Sequence, residues 1–112
     1  MTDERIRRIG QNEALYRQVN EKVRGINEGV ATMMGTFDIL CECGTLECME
    51  HISVTPQVYE QTRADPHRFI VLPGHQIDDI EAVVSEHGNY IVLEKLPPEA
   101  REIAEEMDPR SS

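Results

Sequence analysis

The chain has no tryptophan and only five aromatic residues, three Tyr and two Phe, among its 112. Apolar residues make up 39% of it, below the usual share for globular domains. A core built from this material is short of bulky side chains, and a single domain of this length has only a modest core to begin with. No run approaches the roughly 20 apolar residues that span a bilayer. Met1 to Gly10 is charged where a signal peptide needs an apolar stretch. A cytoplasmic protein with no membrane association is therefore expected. Serine-hydrolase, P-loop and dinucleotide-binding signatures are also missing: Gly74-His75 and His87-Gly88 are turn fragments without the flanking motif.

Basic charge is scarce as well. There are 21 acids against 11 bases, a formal net charge of −10. Residues 1–30 hold six of the bases and five of the acids, so the remaining 82 residues carry 16 acids against five bases. An acidic body repels phosphate backbones, so no nucleic-acid partner is expected, whereas a basic protein surface would be attracted. Solubility alone is the simpler reading of these acids and outweighs a dedicated partner surface.

What the chain does contain is a set of clear periodicities. Tyr16, Val19, Val23, Ile26, Val30 and Met33 recur at alternating steps of three and four, with Ile9 and Asn12 extending the series backwards. Polar residues fill the other positions, which predicts an amphipathic helix from about Asp3 to Val30, capped by Thr2 or Asp3. Gly25, Gly29 and Gly35 weaken its end, so it should fray or stop between Gly29 and Gly35. The seam could dimerise, bind a protein partner, or pack on the domain's own sheet. With only about three heptads, packing on the sheet is slightly favoured.

Phe37, Ile39 and Leu40 read as a strand leading into Cys41, and Ile52 and Val54 alternate with His51, Ser53 and Thr55 as a half-buried strand. The pair predicts a hairpin with the cysteines at its tip. Thr55-Pro56 is a helix start, and that helix should stop near Ala64, before Pro66. Arg68 to Leu72 reads as a strand turned by Pro73-Gly74. Ile80–Val84 and Tyr90–Leu93 flank Glu86-His87-Gly88-Asn89 as a second hairpin. Pro97-Pro98 starts a last helix with Leu96, Ala100, Ile103, Ala104 and Met107 on one face; it ends at Asp108-Pro109, and Arg110 to Ser112 should form a loose tail.

Three cysteines fall within eight residues, Cys41-Glu-Cys43-Gly-Thr-Leu-Glu-Cys48. An odd count does not suit a disulfide scaffold, and in a reducing compartment clustered cysteines point to metal or redox chemistry. With Glu42, Glu47 and Glu50 interspersed, the segment is poor core material. Gly44 suits a tight loop because it adopts backbone angles closed to other residues and lets N–H groups approach the sulfurs. Thiolates are strong zinc ligands, and a structural zinc site takes four protein ligands in a tetrahedron. His51 would complete a local C-x-C-x4-C-x2-H site; His75, beyond a strand and a Pro-Gly turn, would clip two parts of the chain together and close a longer loop. His67 and His87 lie in other turn regions.

The chain resembles a largely uncharacterised family of small actinobacterial proteins. The resemblance rests on Asn12 to Arg17 with Val19-Asn20-Glu21, the three-cysteine loop, Tyr59-Glu60 with Arg63, Pro66, Arg68-Phe69, Pro73-Gly74-His75 and Asp108-Pro109-Arg110. In that family the cysteines accompany the Pro-Gly-His segment, which implies a ligand set of Cys41, Cys43, Cys48 and His75, with His51 the alternative fourth ligand. No activity comes with the resemblance.

The expected fold is thus α+β: a long N-terminal helix over residues 1–30, and over residues 31–112 a small antiparallel β-sheet with a zinc-bound hairpin tip and two short helices, one domain overall. A closed ligand set and the absence of any other catalytic arrangement favour a non-enzymatic interaction or regulatory module, with a protein partner or a second copy on the N-terminal helix. The alternative is a thiol redox switch in which cysteine oxidation releases zinc. A zinc hydrolase, with Glu42, Glu47 or Glu50 as general base, is less favoured because it needs an open coordination position. An iron–sulfur cluster usually takes four thiolates, and only three are present.

Overall fold

The structure, a computed structural model, describes residues 2–26, 35–45 and 47–110. Helix α1 spans Asp3–Ile26. Thr2 caps it: its hydroxyl accepts from the Arg5 N–H at 3.2 Å and its carbonyl from the Ile6 N–H at 3.0 Å. Asp3 and Glu4 in the first turn complement the positive end of the helix dipole. The expected helix end between Gly29 and Gly35, with Val30 and Met33 of the seam, falls largely on residues 27–34, outside the described residues.

The face that α1 turns inward keeps Ile9 and Val23 of the expected seam but is otherwise shifted from it. Ile6, Ile9, Gly10, Glu13, Ala14, Arg17 and Asn20 are buried, while Val19 is 37% and Ile26 81% exposed. Hydrogen-bonding partners select this stripe. The Arg17 guanidinium lies 4.6 Å over the Phe69 ring and donates to the carbonyls of Pro66 and Ala104. Asn20 exchanges two hydrogen bonds with the backbone of Leu40, at 2.9 and 2.8 Å. A buried polar side chain satisfied in this way costs little, so hydropathy alone does not identify the inner face.

Strands β1 (Phe37–Leu40) and β2 (His51–Val54) pair antiparallel from Phe37↔Val54 to Leu40↔His51, forming the expected hairpin with the cysteine loop at its tip. Helix α2 (Pro56–Arg63) starts as read: the Thr55 hydroxyl accepts from the Val58 N–H at 3.2 Å, and Pro56 sits in the first turn. Strands β3 (Arg68–Val71), β4 (Glu81–His87) and β5 (Tyr90–Lys95) form a second antiparallel sheet in the order β3-β5-β4. The β4–β5 turn is tighter than expected. His87 pairs with Tyr90, leaving a two-residue loop whose first member, Gly88, has φ +45°, a position glycine fills without strain.

Helix α3 (Pro98–Glu106) packs on α1, and α1 also lies against β1. Ala100, Ile103 and Ala104 face inward, but Leu96 precedes the helix and is half exposed. Arg110, expected in a loose tail, is anchored: its guanidinium donates to Glu21 on α1 and Glu60 on α2, each at 2.6 Å. The main core gathers Phe37, Ile39, Ile52, Val54, Tyr59, Phe69 and Leu93 from both sheets and α2, with Phe37 edge-on to Tyr59 at 5.5 Å. Among the described residues the architecture is α+β, with two small antiparallel sheets, a long N-terminal helix and two short ones.

Candidate metal centre

Beyond the Leu40↔His51 pair the hairpin closes through Cys41, whose N–H donates to the Glu50 carbonyl at 2.9 Å. Within the tip a tight turn joins the Cys48 N–H to the Thr45 carbonyl at 3.1 Å. The other side of the site is the end of β3. There His75 donates its N–H to the Leu72 carbonyl at 3.0 Å across Pro73-Gly74, and Gly74 has φ +88°. Pro followed by Gly at positive φ is the type II turn signature. The turn delivers the His75 ring to the cysteines. Nδ1 lies 3.6 Å from the sulfurs of both Cys41 and Cys48, and one ligand atom from each of Cys41, Cys43, Cys48 and His75 lies within 4.8 Å of every other. Around a tetrahedral zinc, S···N and S···S edges are about 3.5 and 3.8 Å, from metal–ligand bonds of about 2.0–2.3 Å. His51 is exposed on β2 and is not in this group. His67 is bound instead to Glu105 at 2.6 Å, and His87 to Ser85 at 2.8 Å. The cysteines form no disulfide.

The sulfurs sit among backbone donors. The Leu72 N–H reaches the Cys41 sulfur at 3.3 Å, and the N–H groups of Cys43, Thr45 and Glu50 serve Cys41, Cys43 and Cys48 respectively. The thiols also hydrogen-bond to one another. Hydrogen bonding from the Cys41 side chain, then from His75, pulls the Cys43 thiol down to about 4 against the opposing effect of burial. Cys41 is pushed up, first by that same hydrogen bond and then by burial, and Cys48 is pushed up by burial. The mutual hydrogen bonds thus favour charge on Cys43 over its neighbours, whereas a bound divalent cation would take all three as thiolates.

Several residues support the site in ways the sequence did not signal. Glu42, between two cysteines, is buried, and it joins the two sheets. Its N–H donates to the Ile70 carbonyl at 2.9 Å, while its carboxylate accepts from the Ile70 N–H at 3.0 Å and from Asn20 at 2.7 Å. Burial pushes its pKa up, partly offset by the nearby Arg63. That carboxylate is therefore committed to the fold and turned away from the sulfurs. Gly44 is required for a reason other than the one expected. A Cβ there would lie 2.6 Å from Ile9 Cγ2 and 3.3 Å from the Ile9 carbonyl oxygen, so close approach of α1, rather than an unusual backbone angle, excludes a side chain. Asn12 donates to the Gly44 carbonyl at 3.2 Å. The Tyr16 phenol is held above its ordinary value by burial and then by Cys43, Cys48 and Glu47, which places it beside the sulfurs. The step from Asn12 to Tyr16 to Asn20 is the one local pattern that could have tied this helix face to the cysteine loop.

The centre borders an open groove of about 630 Å³, lined in part by Thr45, Cys48, Leu72 and His75, with Glu47 and Glu50 on its wall. No described helix is long and apolar enough to cross a membrane. No protein-family model matches the chain, and the comparisons with curated proteins and with solved structures returned no match.

Proposed function

We propose that the chain is a non-enzymatic module of the cytoplasm, in which zinc held by Cys41, Cys43, Cys48 and His75 fixes the fold and α1 engages a protein partner or a second copy. The observation that carries the metal reading is the convergence of three sulfurs and one imidazole nitrogen within 4.8 Å. Thiolate and imidazole in a tetrahedral set suit zinc above the hard cations, which take oxygen ligands. A full set of four protein ligands leaves no position for a reacting water, and the buried Glu42 carboxylate is already occupied. Both features favour a structural over a hydrolytic site. The partner reading is supported by the solvent face of α1, where Leu15 is 48% exposed and falls on one stripe with Val19 and Ile26.

Metal content per chain, measured for the wild type, His75→Ala and His51→Ala, tests the site. One zinc per chain in the wild type and in His51→Ala, with loss only in His75→Ala, is expected. A metal-free wild type would remove the proposal, and loss only in His51→Ala would transfer the fourth ligand to β2. Sedimentation of the wild type against Leu15→Glu/Val19→Glu, together with co-purification from cells, tests the partner face. A chain that neither self-associates nor retains a partner would count against it.

A further inference from the structure

We propose that the groove beside the metal centre admits a neutral peroxide to the zinc-bound cysteines, and that Cys48 is the sulfur it oxidises first. This rests on the zinc reading above and concerns how the site is regulated. The three sulfurs are not equally reachable. Cys41 and Cys43 are almost fully buried, whereas Cys48 is half-buried and lines the groove. Helix α1 closes off the Gly44 side through Ile9 and Asn12, and the β3 end covers Cys41 through the Leu72 N–H. A small reagent entering from solvent therefore meets Cys48.

The groove also selects by charge. Glu47 and Glu50 stand on its wall, no Lys or Arg lines it, and the chain as a whole carries −10. An anionic oxidant is repelled from such a surface, whereas hydrogen peroxide is not. The chemistry is balanced by what is present. The Cys48 sulfur attacks one peroxide oxygen, the O–O bond breaks, Cys48 becomes a sulfenic acid, and the departing hydroxide takes a proton to leave as water. The sulfur of Cys41 or Cys43, each within 4.8 Å, then attacks Cys48, forming an S–S bond and releasing the second oxygen, with a second proton, as water. Two thiolates lose two electrons in total, and one peroxide is reduced to two waters. The remaining thiolate and His75 are too few to hold zinc, so the metal leaves and the β3 turn is unclipped from the hairpin tip.

The test uses the full zinc-loaded chain, whose metal content is measured first. Hydrogen peroxide is added with a chromogenic zinc chelator and dimedone, and the products are mapped by mass spectrometry. Dimedone on Cys48, a disulfide containing Cys48 when dimedone is omitted, and about one zinc released per peroxide consumed are expected. Peroxymonosulfate, an anion, serves as the charged probe. Its rate should rise on the order of threefold between low and physiological salt, and should rise likewise in Glu47→Gln/Glu50→Gln, while the hydrogen peroxide rate responds to neither. Zinc retained under peroxide, dimedone on Cys41 or Cys43 first, or an equal salt response of the two oxidants would each overturn this proposal while leaving the zinc site standing. A chain that carries no zinc before oxidant is added would overturn both.

Discussion

Helix α1 passes between two polar clusters that solve opposite problems. On one side the cysteine tip gathers soft ligands next to solvent, with Cys48 and His75 half-buried at the groove. On the other, Lys95 is fully buried between Glu13 on α1 and Glu81 on β4; it donates to both, with the Glu81 contact at 2.6 Å. Glu81 also accepts from the Ile77 N–H at 2.7 Å, tying the segment before β4 to the cluster. The metal end brings together three thiols and an imidazole that could hold a cation from outside the chain. The ionic end carries its cation in the chain. On the proposed zinc reading, one end of the fold is conditional on an added component and on redox state, while the other carries its own counter-charge.

If the zinc reading is right, removing the metal should have the largest effect on stability. Metal binding contributes about 10–16 kcal/mol in small structural zinc sites at neutral pH, where it is inseparable from folding. Part of that is offset here by a protein core that already exists. Stripping zinc should therefore lower stability by on the order of 5 kcal/mol and expose the 41–50 amides to hydrogen exchange, while α1, α3 and β5 stay protected. Equal loss of protection at both ends would show that they are not independent.

The next effect in size is at the ionic end. Lys95→Met leaves two carboxylates buried without their cation and should cost about 3–5 kcal/mol in chemical denaturation. Glu13→Leu/Glu81→Gln/Lys95→Met should recover most of that loss, because removing all the charges together avoids the uncompensated desolvation. The Gln at 81 keeps the acceptor for Ile77. The zinc content of all these variants should be unchanged. If the triple variant is no better than Lys95→Met, the cluster contributes net stability and the comparison must be redrawn.

The two ends were unequally legible in the sequence. Cysteine is rare, and three within eight residues announce shared chemistry. The Thr55-Pro56 cap and the Pro73-Gly74 turn likewise carry their geometry in their own residue types. Glu13, Glu81 and Lys95 carry none: such residues are solvent-exposed by default, and Glu13 on α1 is far in the chain from the β4–β5 hairpin that pairs the other two. Glu42 and Asn20 were hidden for the same reason, since their burial depends on Ile70 and Leu40 arriving opposite them. The inner face of α1 was misjudged because a hydrophobic seam weighs Val19 and Ile26 above Glu13 and Arg17. In a chain poor in aromatics, satisfied polar side chains take up interior positions that bulky apolar residues would otherwise fill.

A smaller perturbation tests whether α1 transmits strain between the ends. Gly44→Ala forces a methyl group to within 2.6 Å of Ile9. Overpacking of this kind costs about 1–3 kcal/mol, and here the strain falls on the helix turn just before Glu13 as well as on the cysteine tip. Weaker zinc binding in competition with a chelator, with hydrogen exchange also faster around Glu13, is expected. A change confined to the metal end would show that α1 absorbs the strain locally.

The last effect is the most discriminating, because it depends on pH. Burial raises the Glu13 carboxyl well above its ordinary value of 4.5; the charge of Lys95 opposes this, and a hydrogen bond with Glu81 reinforces it. The folded state then binds the Glu13 proton more tightly than the unfolded state does. The stability this group contributes is fully present below the unfolded value and is lost as pH rises towards the folded one. Glu13→Gln removes the titration and can still donate a hydrogen bond to Glu81. The variant should therefore match the wild type near pH 4 and gain on it as pH rises, by about 1.4 kcal/mol for each pH unit of the shift, reaching a plateau above the folded value. The raised titration of Glu42 is common to both proteins and cancels in their difference. Paired denaturation curves from pH 4 to pH 8 measure it. A flat difference across that range would mean that Lys95 fully compensates the burial of Glu13, leaving both carboxylates ionised around one ammonium with no stored proton.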